Sequence, residues 1–320
     1  MRRLTILDDY QGVALTSADW SSVAACFDVD VVRDHVDGDE LVARLAGAEV
    51  VVAMRERTPF PAALFERMPV LRLLVTTGMK NASIDLTAAA EHGVVVTGTR
   101  SAGNPVPELT IGMMIALTRH FVEEDAAVRA GGWQHTIGPG LGGLTLGVLG
   151  LGRLGGPVAD AANVLGMHVI AWDRSITPER ADAHGARVVD RDGLFRESDI
   201  ITIHLPLTDS SRGLVGSREL ALMRPSAYLI NTSRGPIVDE DALVSALQGD
   251  RLAGAALDVF DVEPLPVGHP LRSAPRTLLL PHIGYVTTEQ YERFYTDAAE
   301  DVLAWDDGAP VRTLATTSAP

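Results

Sequence analysis

The stretch Leu144-Thr145-Leu146-Gly147-Val148-Leu149-Gly150-Leu151-Gly152-Arg153-Leu154-Gly155 constrains this chain more than any other. Its apolar start reads as a short buried strand that enters a glycine turn and then a helix. Gly150, Gly152 and Gly155 fit G-x-G-x-x-G. The first glycine permits the tight turn, the second lets backbone approach a pyrophosphate, and the third lets the helix pack close to the strand. The helix N-terminus then offers unpaired N–H groups and a partial positive charge to phosphates. Glycine-rich turns also serve packing alone, so the context decides. A helical stretch from Val158 to Leu165 follows, then a second strand, His168-Val169-Ile170-Ala171-Trp172. That strand ends at Asp173, 18 residues past the last glycine. A carboxylate there takes the adenosine ribose hydroxyls of a dinucleotide. It favours NAD over NADP, because it repels a 2′-phosphate, although the adjacent Arg174 offsets part of that repulsion.

At 320 residues the chain is long enough for two domains with separate cores. A net charge of −15 argues against a nucleic-acid partner, which would want a basic face. Asp8 and Asp9 interrupt the apolar start too soon for a signal peptide, and no apolar run is long enough to span a bilayer. The single cysteine, Cys26, allows no internal disulfide and reads as a small buried apolar residue. A cytoplasmic protein is expected. The histidines show no H-E-x-x-H or comparable spacing, so no metal is expected.

Short apolar strands alternate with helices along the whole chain, which implies α/β architecture with mainly parallel sheets. The first hundred residues form one such unit, without a glycine fingerprint. Its strands end in Arg55 and in Thr76-Thr77-Gly78-Met79. Arg55 reads either as a partner of a neighbouring acid or as a substrate contact. Glu108 to about Ala130 reads as one long helix, apolar nearly all round at first and therefore buried. The second unit starts at Leu144 and continues to Pro281-His282-Ile283-Gly284. A last helix spans Glu289 to Ala304, and the tail from Thr313 reads as frayed.

Ligands of open parallel sheets gather beyond the carboxyl ends of the strands. In the second unit those ends carry Asp173, His204, Arg234, Asp258 and His282, with Glu263 just beyond. Three of these suit the reduction of a 2-keto acid. Arg234 can hold a carboxylate in a bidentate fork and polarise the keto oxygen. His282 can deliver a proton to that oxygen as hydride reaches carbon. Glu263 can pair with His282, orient it and favour its protonated form.

At these residues the chain resembles the D-isomer-specific 2-hydroxyacid dehydrogenases, the family of phosphoglycerate, glyoxylate and formate dehydrogenases. The similar stretches are 147–155, His204-Leu205-Pro206-Leu207-Thr208, 229–240, 254–264 and Pro281-His282-Ile283-Gly284, with Glu108-Leu109-Thr110 resembling the start of the interdomain helix. The resemblance implies a catalytic set of Arg234, Glu263 and His282. It implies cofactor contacts from the glycine turn with Arg153 and Leu154, from Asp173 and Arg174, and from His204, Pro206, Thr232, Asp258 and Gly284. Asp258 would take the nicotinamide carboxamide. Arg55 and backbone near Thr77 and Gly78 would join Arg234 at the substrate.

The family plan implies two Rossmann-like doubly wound parallel-sheet domains joined by two crossing helices. Residues 1–100 plus 285–320 would form a flavodoxin-like substrate-binding domain, and 101–284 an inserted NAD-binding domain. The crevice between them would close over a small D-2-hydroxy acid or 2-keto acid, and a homodimer would form through the apolar crossing helix. Some members place a substrate-facing asparagine where this chain has Ala102, which weakens a formate dehydrogenase reading; a phosphite- or formate-type dehydrogenase stays a rival within the enzyme class. The same fold also serves NAD-sensing corepressors, so a binding protein is the alternative class.

Overall fold

The computed structural model describes residues 1–314. They fall into two compact units, Met1–Gly103 together with the chain from Val286 onward, and Asn104–Tyr285.

The first unit has five parallel strands: β1 (Arg2–Ile6), β2 (Phe27–Val31), β3 (Ala48–Ala53), β4 (Leu73–Thr76) and β5 (Val95–Gly98). Their order is β2-β1-β3-β4-β5, the flavodoxin-like arrangement. β4 is buried throughout and β3 nearly so, as strands covered by helices on both faces must be. The helix Thr288–Asp306 belongs to this unit. It buries Tyr291, Phe294, Tyr295, Ala298 and Val302 on one helical stripe.

Two expectations fail in this unit. Cys26 is exposed rather than buried. The helix Ser21–Cys26 is short and buries only Val23; Phe27, the first residue of β2, takes the inward position next to the cysteine. The tail is paired for longer than expected. Gly98 N donates to Arg312 O at 3.0 Å and Leu314 N to Val96 O at 2.8 Å, so Arg312 to Leu314 runs along the edge of β5. The remainder of the expected frayed tail, 315–320, lies outside the described residues.

The second unit has seven parallel strands: β6 (Thr145–Leu149), β7 (His168–Trp172), β8 (Ala186–Val188), β9 (Ile200–Ile203), β10 (Tyr228–Asn231), β11 (Gly254–Leu257) and β12 (Thr277–Leu279). Their order is β12-β11-β10-β9-β6-β7-β8. This is the doubly wound Rossmann order with one further strand, and it reverses direction between β6 and β9. Every strand of this sheet has its carboxyl end on the same edge, because all neighbours pair in parallel.

The expected long helix is broken. Val106–Thr118 and Phe121–Arg129 are separate helices, with His120 between them in the left-handed region at φ +54°. The Thr118 hydroxyl donates back to Met114 O at 2.8 Å, a contact that bends helices. The apolar stripe also stops there. The first helix buries Met113, Met114 and Leu117, whereas the second buries no residue. Nothing therefore holds the two in one straight rod.

Candidate active site

The glycine turn follows β6. Gly150 sits at φ +101°, where a side chain is strained. A Cβ on Gly155 would lie 2.1 Å from Gly150 O, so the helix Gly155–Val164 can approach the strand only without one. A Cβ on Gly152 would meet nothing within 4 Å, which leaves its backbone open to a ligand. Close packing at two glycines and open space at the middle one fit a bound pyrophosphate. Arg153 and Leu154 complete the turn, and Arg153 O accepts from Asn104 Nδ2 at 3.2 Å.

Asp173 lies at the end of β7, beside this turn. Its Oδ2 accepts from Leu151 N at 3.3 Å and its Oδ1 from Ser175 N at 2.7 Å. Its charge partner is not the adjacent Arg174, which donates to Ser210 O at 2.9 Å. Arg180 takes that place, with Nη2 at 2.6 Å from Oδ2. Arg180 is seven positions along the chain on a different element, and spacing gave no hint of it.

His204 follows β9 and is buried. Its Nε2 lies 2.9 Å from Thr202 Oγ1, and burial pushes the imidazole down to about 4. It is therefore neutral near pH 7 and unsuited to proton delivery in that range. Pro206 is exposed, and its carbonyl accepts from Ser211 Oγ at 2.7 Å. Thr232 Oγ1 lies 3.0 Å from Thr110 Oγ1, which ties the end of β10 to the helix Val106–Thr118.

The reactive-type residues lie beyond three neighbouring strands. β10 ends at Asn231, whose Nδ2 donates to Arg234 O at 3.0 Å and whose Oδ1 accepts from Ser233 N at 3.0 Å. One side chain thus fixes the turn that carries Arg234. Arg234 Nη1 donates to Ser233 O at 2.6 Å. Gly235 comes next, and a Cβ there would lie 2.0 Å from the carbonyl carbon of Phe260. The missing side chain lets the loop after β11 lie directly against the arginine turn.

That loop carries Glu263. Its Oε1 accepts from Phe260 N at 2.9 Å, and its Oε2 lies 2.6 Å from His282 Nδ1. Both side chains are largely shielded from solvent. Glu240 braces the same loop by accepting from Asp261 N at 2.9 Å, with its other oxygen 3.2 Å from His269 Nε2; burial pushes the Glu240 carboxyl up.

His282 follows β12 at φ +55°, a strained conformation for a residue with a side chain. Asp258 holds the turn in place by accepting from Ile283 N at 2.7 Å and Gly284 N at 2.8 Å. Burial pushes the Asp258 carboxyl up, against the opposing pull of those amides and of His282. Tyr285, which the sequence reading passed over, packs edge-on to the imidazole with ring centroids 5.7 Å apart. Its only signal is an aromatic residue directly after the His-Ile-Gly turn.

In the other unit, Arg55, Thr77 and Gly78 lie together beyond the adjacent strands β3 and β4. Arg55 N donates to Thr77 Oγ1 at 2.9 Å, and Gly78 N to Thr99 Oγ1 at 2.8 Å. Gly78 sits at φ +80°, and a Cβ on it would lie 2.8 Å from Arg55 Nη1, so the guanidinium packs over the glycine. Among the described residues no cluster of His, Cys, Asp or Glu is arranged to hold a metal. No helix among them is long and apolar enough to cross a membrane.

Residues 111–284 match the family model described as the NAD-binding domain of the D-isomer-specific 2-hydroxyacid dehydrogenases. The chain belongs to that family. It is 37% identical over 255 residues to a glyoxylate reductase from Thermococcus litoralis, covering 77% of each chain. A glyoxylate reductase from Aeropyrum pernix is 40% identical over 255 residues, covering 77% of this chain and 76% of the relative. A phosphoglycerate oxidoreductase structure from Vibrio cholerae superposes with a TM-score of 0.91 at 34% identity, covering 97% of this chain and 100% of that one.

This dehydrogenase therefore uses NAD(H) and exchanges a hydride with a hydroxy acid or keto acid. The corepressor-like alternative is not favoured, since the relatives carry the names of reductases and dehydrogenases. Neither is the formate or phosphite reading.

Proposed function

We propose that this enzyme reduces small 2-keto acids of the glyoxylate and hydroxypyruvate class to D-2-hydroxy acids. The observation that carries the reading is the 2.6 Å contact between Glu263 and His282 at the carboxyl edge of the nucleotide-binding sheet. A histidine bonded to a carboxylate in this way can hold a proton for delivery to a developing alkoxide. Relatives named glyoxylate reductase and hydroxypyruvate reductase support the substrate class.

When bound, the nicotinamide supplies the hydride. Gly150, Gly152, Arg153, Leu154 and Gly155 would hold the pyrophosphate, and Asp173 the adenosine ribose. Arg174, His204, Pro206, Thr232, Asp258 and Gly284 would complete the cofactor contacts. Arg234 pairs with the substrate carboxylate and polarises the keto oxygen, which makes the carbon more electrophilic. The further substrate contacts that the resemblance implies, Arg55, Thr77 and Gly78, lie together in the first unit. His282 gives up its proton through Nε2, since Nδ1 is the atom that meets Glu263. Glu263 keeps the ring correctly turned.

A screen of NADH oxidation over glyoxylate, hydroxypyruvate, pyruvate and longer 2-keto acids tests the reading. The short acids are expected to give the highest kcat/KM. Tight NADH binding with no turnover of any acid would overturn it.

The same reading extends to a homodimer in the cytoplasm. Phe121, Val122 and Val128 on the second of the split helices, with Trp133 and Ile137 after it, are exposed apolar residues that a second copy would cover. Sedimentation at micromolar concentration should show twice the chain mass. A single cysteine suits a reducing compartment.

A further inference from the structure

The Asp173 carboxylate is already saturated. A carboxylate offers roughly four lone-pair positions. Here they meet Ser175 N at 2.7 Å, Ser175 Oγ at 3.2 Å, Leu151 N at 3.3 Å and Arg180 Nη2 at 2.6 Å. Ribose hydroxyls can bond to this carboxylate only by displacing a donor. Two of the four are backbone groups of the glycine turn and of the chain just after β7, and they cannot leave without moving it. Arg180 sits on a long side chain that is about a third exposed. Arg180 and the Ser175 hydroxyl are the two donors that can swing away, and on Oδ2 that donor is Arg180. A guanidinium carries five N–H donors, and the bond to Asp173 uses one on Nη2, so donor capacity remains beyond it.

We propose that Arg180 sets cofactor choice and admits NADP(H) as a second cofactor of this enzyme. The inference rests on Asp173 being the ribose carboxylate. An isolated carboxylate there repels a 2′-phosphate, but one 2.6 Å from a guanidinium is largely neutralised. The 2′-phosphate would accept from Arg180 where it stands and from the Ser175 hydroxyl beside it, as charge-assisted bonds. The unphosphorylated ribose must instead push Arg180 aside to reach Oδ2. Arg180 thus helps one cofactor and hinders the other, which narrows the preference that Asp173 alone would impose.

The experiment is calorimetric titration of the full chain with AMP and with adenosine 2′,5′-bisphosphate, which differ by the phosphate in question. Wild type is compared with Arg180→Ala, Arg180→Lys and Asp173→Ser. Arg180→Ala should weaken the bisphosphate roughly tenfold or more while AMP stays within about threefold or tightens. Arg180→Lys should keep most of the bisphosphate affinity, because it keeps the charge. Steady-state kinetics with NADPH and NADH should follow the same pattern in KM. If Asp173→Ser alters AMP binding but Arg180→Ala leaves the bisphosphate unchanged, Arg180 has no such role. If neither substitution affects either ligand, the ribose does not sit at Asp173, and the cofactor reading itself fails at this end.

Discussion

Asp258 and Gly284 are joined by a 2.8 Å hydrogen bond from the glycine amide to a carboxylate oxygen, and the second oxygen takes the amide of Ile283. A Cβ on Gly284 would lie 3.1 Å from Oδ2, the oxygen that its own amide meets, so the glycine also makes room for the carboxylate. The pair pins the turn in which His282 is held at positive φ. Asp258→Asn places an amide group where two backbone donors converge, and one bond must be lost. Losing a charge-assisted bond costs about 1.5–3 kcal/mol, so kcat/KM should fall roughly 10- to 100-fold. Steady-state kinetics measure this, and circular dichroism checks that the fold survives. Unchanged kcat/KM would mean the turn holds itself.

His282→Ala should lower kcat by roughly 10²- to 10⁴-fold while NADH still binds, the usual contribution of a positioned acid. Glu263→Gln is the sharper probe. Glu263 Oε2 lies 2.6 Å from His282 Nδ1 and fixes which way the ring faces. Losing a charge-assisted bond costs about 1.5–3 kcal/mol, so kcat should fall roughly 10- to 100-fold while NADH binding is kept. Unchanged kcat in this variant would show that the imidazole is held without the carboxylate.

The strand-turn-helix with its three glycines was legible because each glycine answers a local steric demand that spacing records. The alternation of strands and helices gave the sheet architecture for the same reason. Glu263 and His282 were legible as a pair because their chemistry is complementary and both sit past strand ends. Arg180 was not, because its pairing with Asp173 depends on how a five-residue helix folds back, which no local pattern encodes. Cys26 was misread from average burial, which says nothing about a short helix with one inward residue. The break at Arg119–His120 was missed for a related reason. Helical propensity continues through it, and only the end of the buried stripe marks the stop.

Gly235→Ala tests whether the arginine turn and the glutamate loop depend on each other. The new methyl would lie 2.0 Å from Phe260 C and 2.2 Å from its oxygen, both backbone atoms. Neither can move without shifting the Phe260–Glu263 loop, whose amides are held by Glu240 and Glu263. Overpacking of this kind costs about 1–3 kcal/mol, and the loop should move with it. The expected result is a lower unfolding midpoint together with a loss of kcat. Full activity in a destabilised variant would separate the loop's position from catalysis.

Asp301 gives a pH test of stability in the first unit. It is fully buried on the helix Thr288–Asp306, with Arg312 Nη2 2.8 Å from its Oδ1. Burial raises its carboxyl to about 6, against the opposing pull of Arg312. The native state thus holds a proton that the unfolded chain, at an ordinary value of 3.8, gives up earlier. This contribution is fully present below the unfolded value and is lost as pH rises through about 6. Its size is on the order of 2–3 kcal/mol for a shift of this extent. Asp301→Asn keeps the shape and removes the titration. Relative to wild type, the variant should therefore gain stability between pH 4 and pH 7 by roughly that amount. Urea unfolding of both proteins at the two pH values measures the difference. A gap between them that does not change with pH would show that Asp301 is ionised throughout and held so by Arg312.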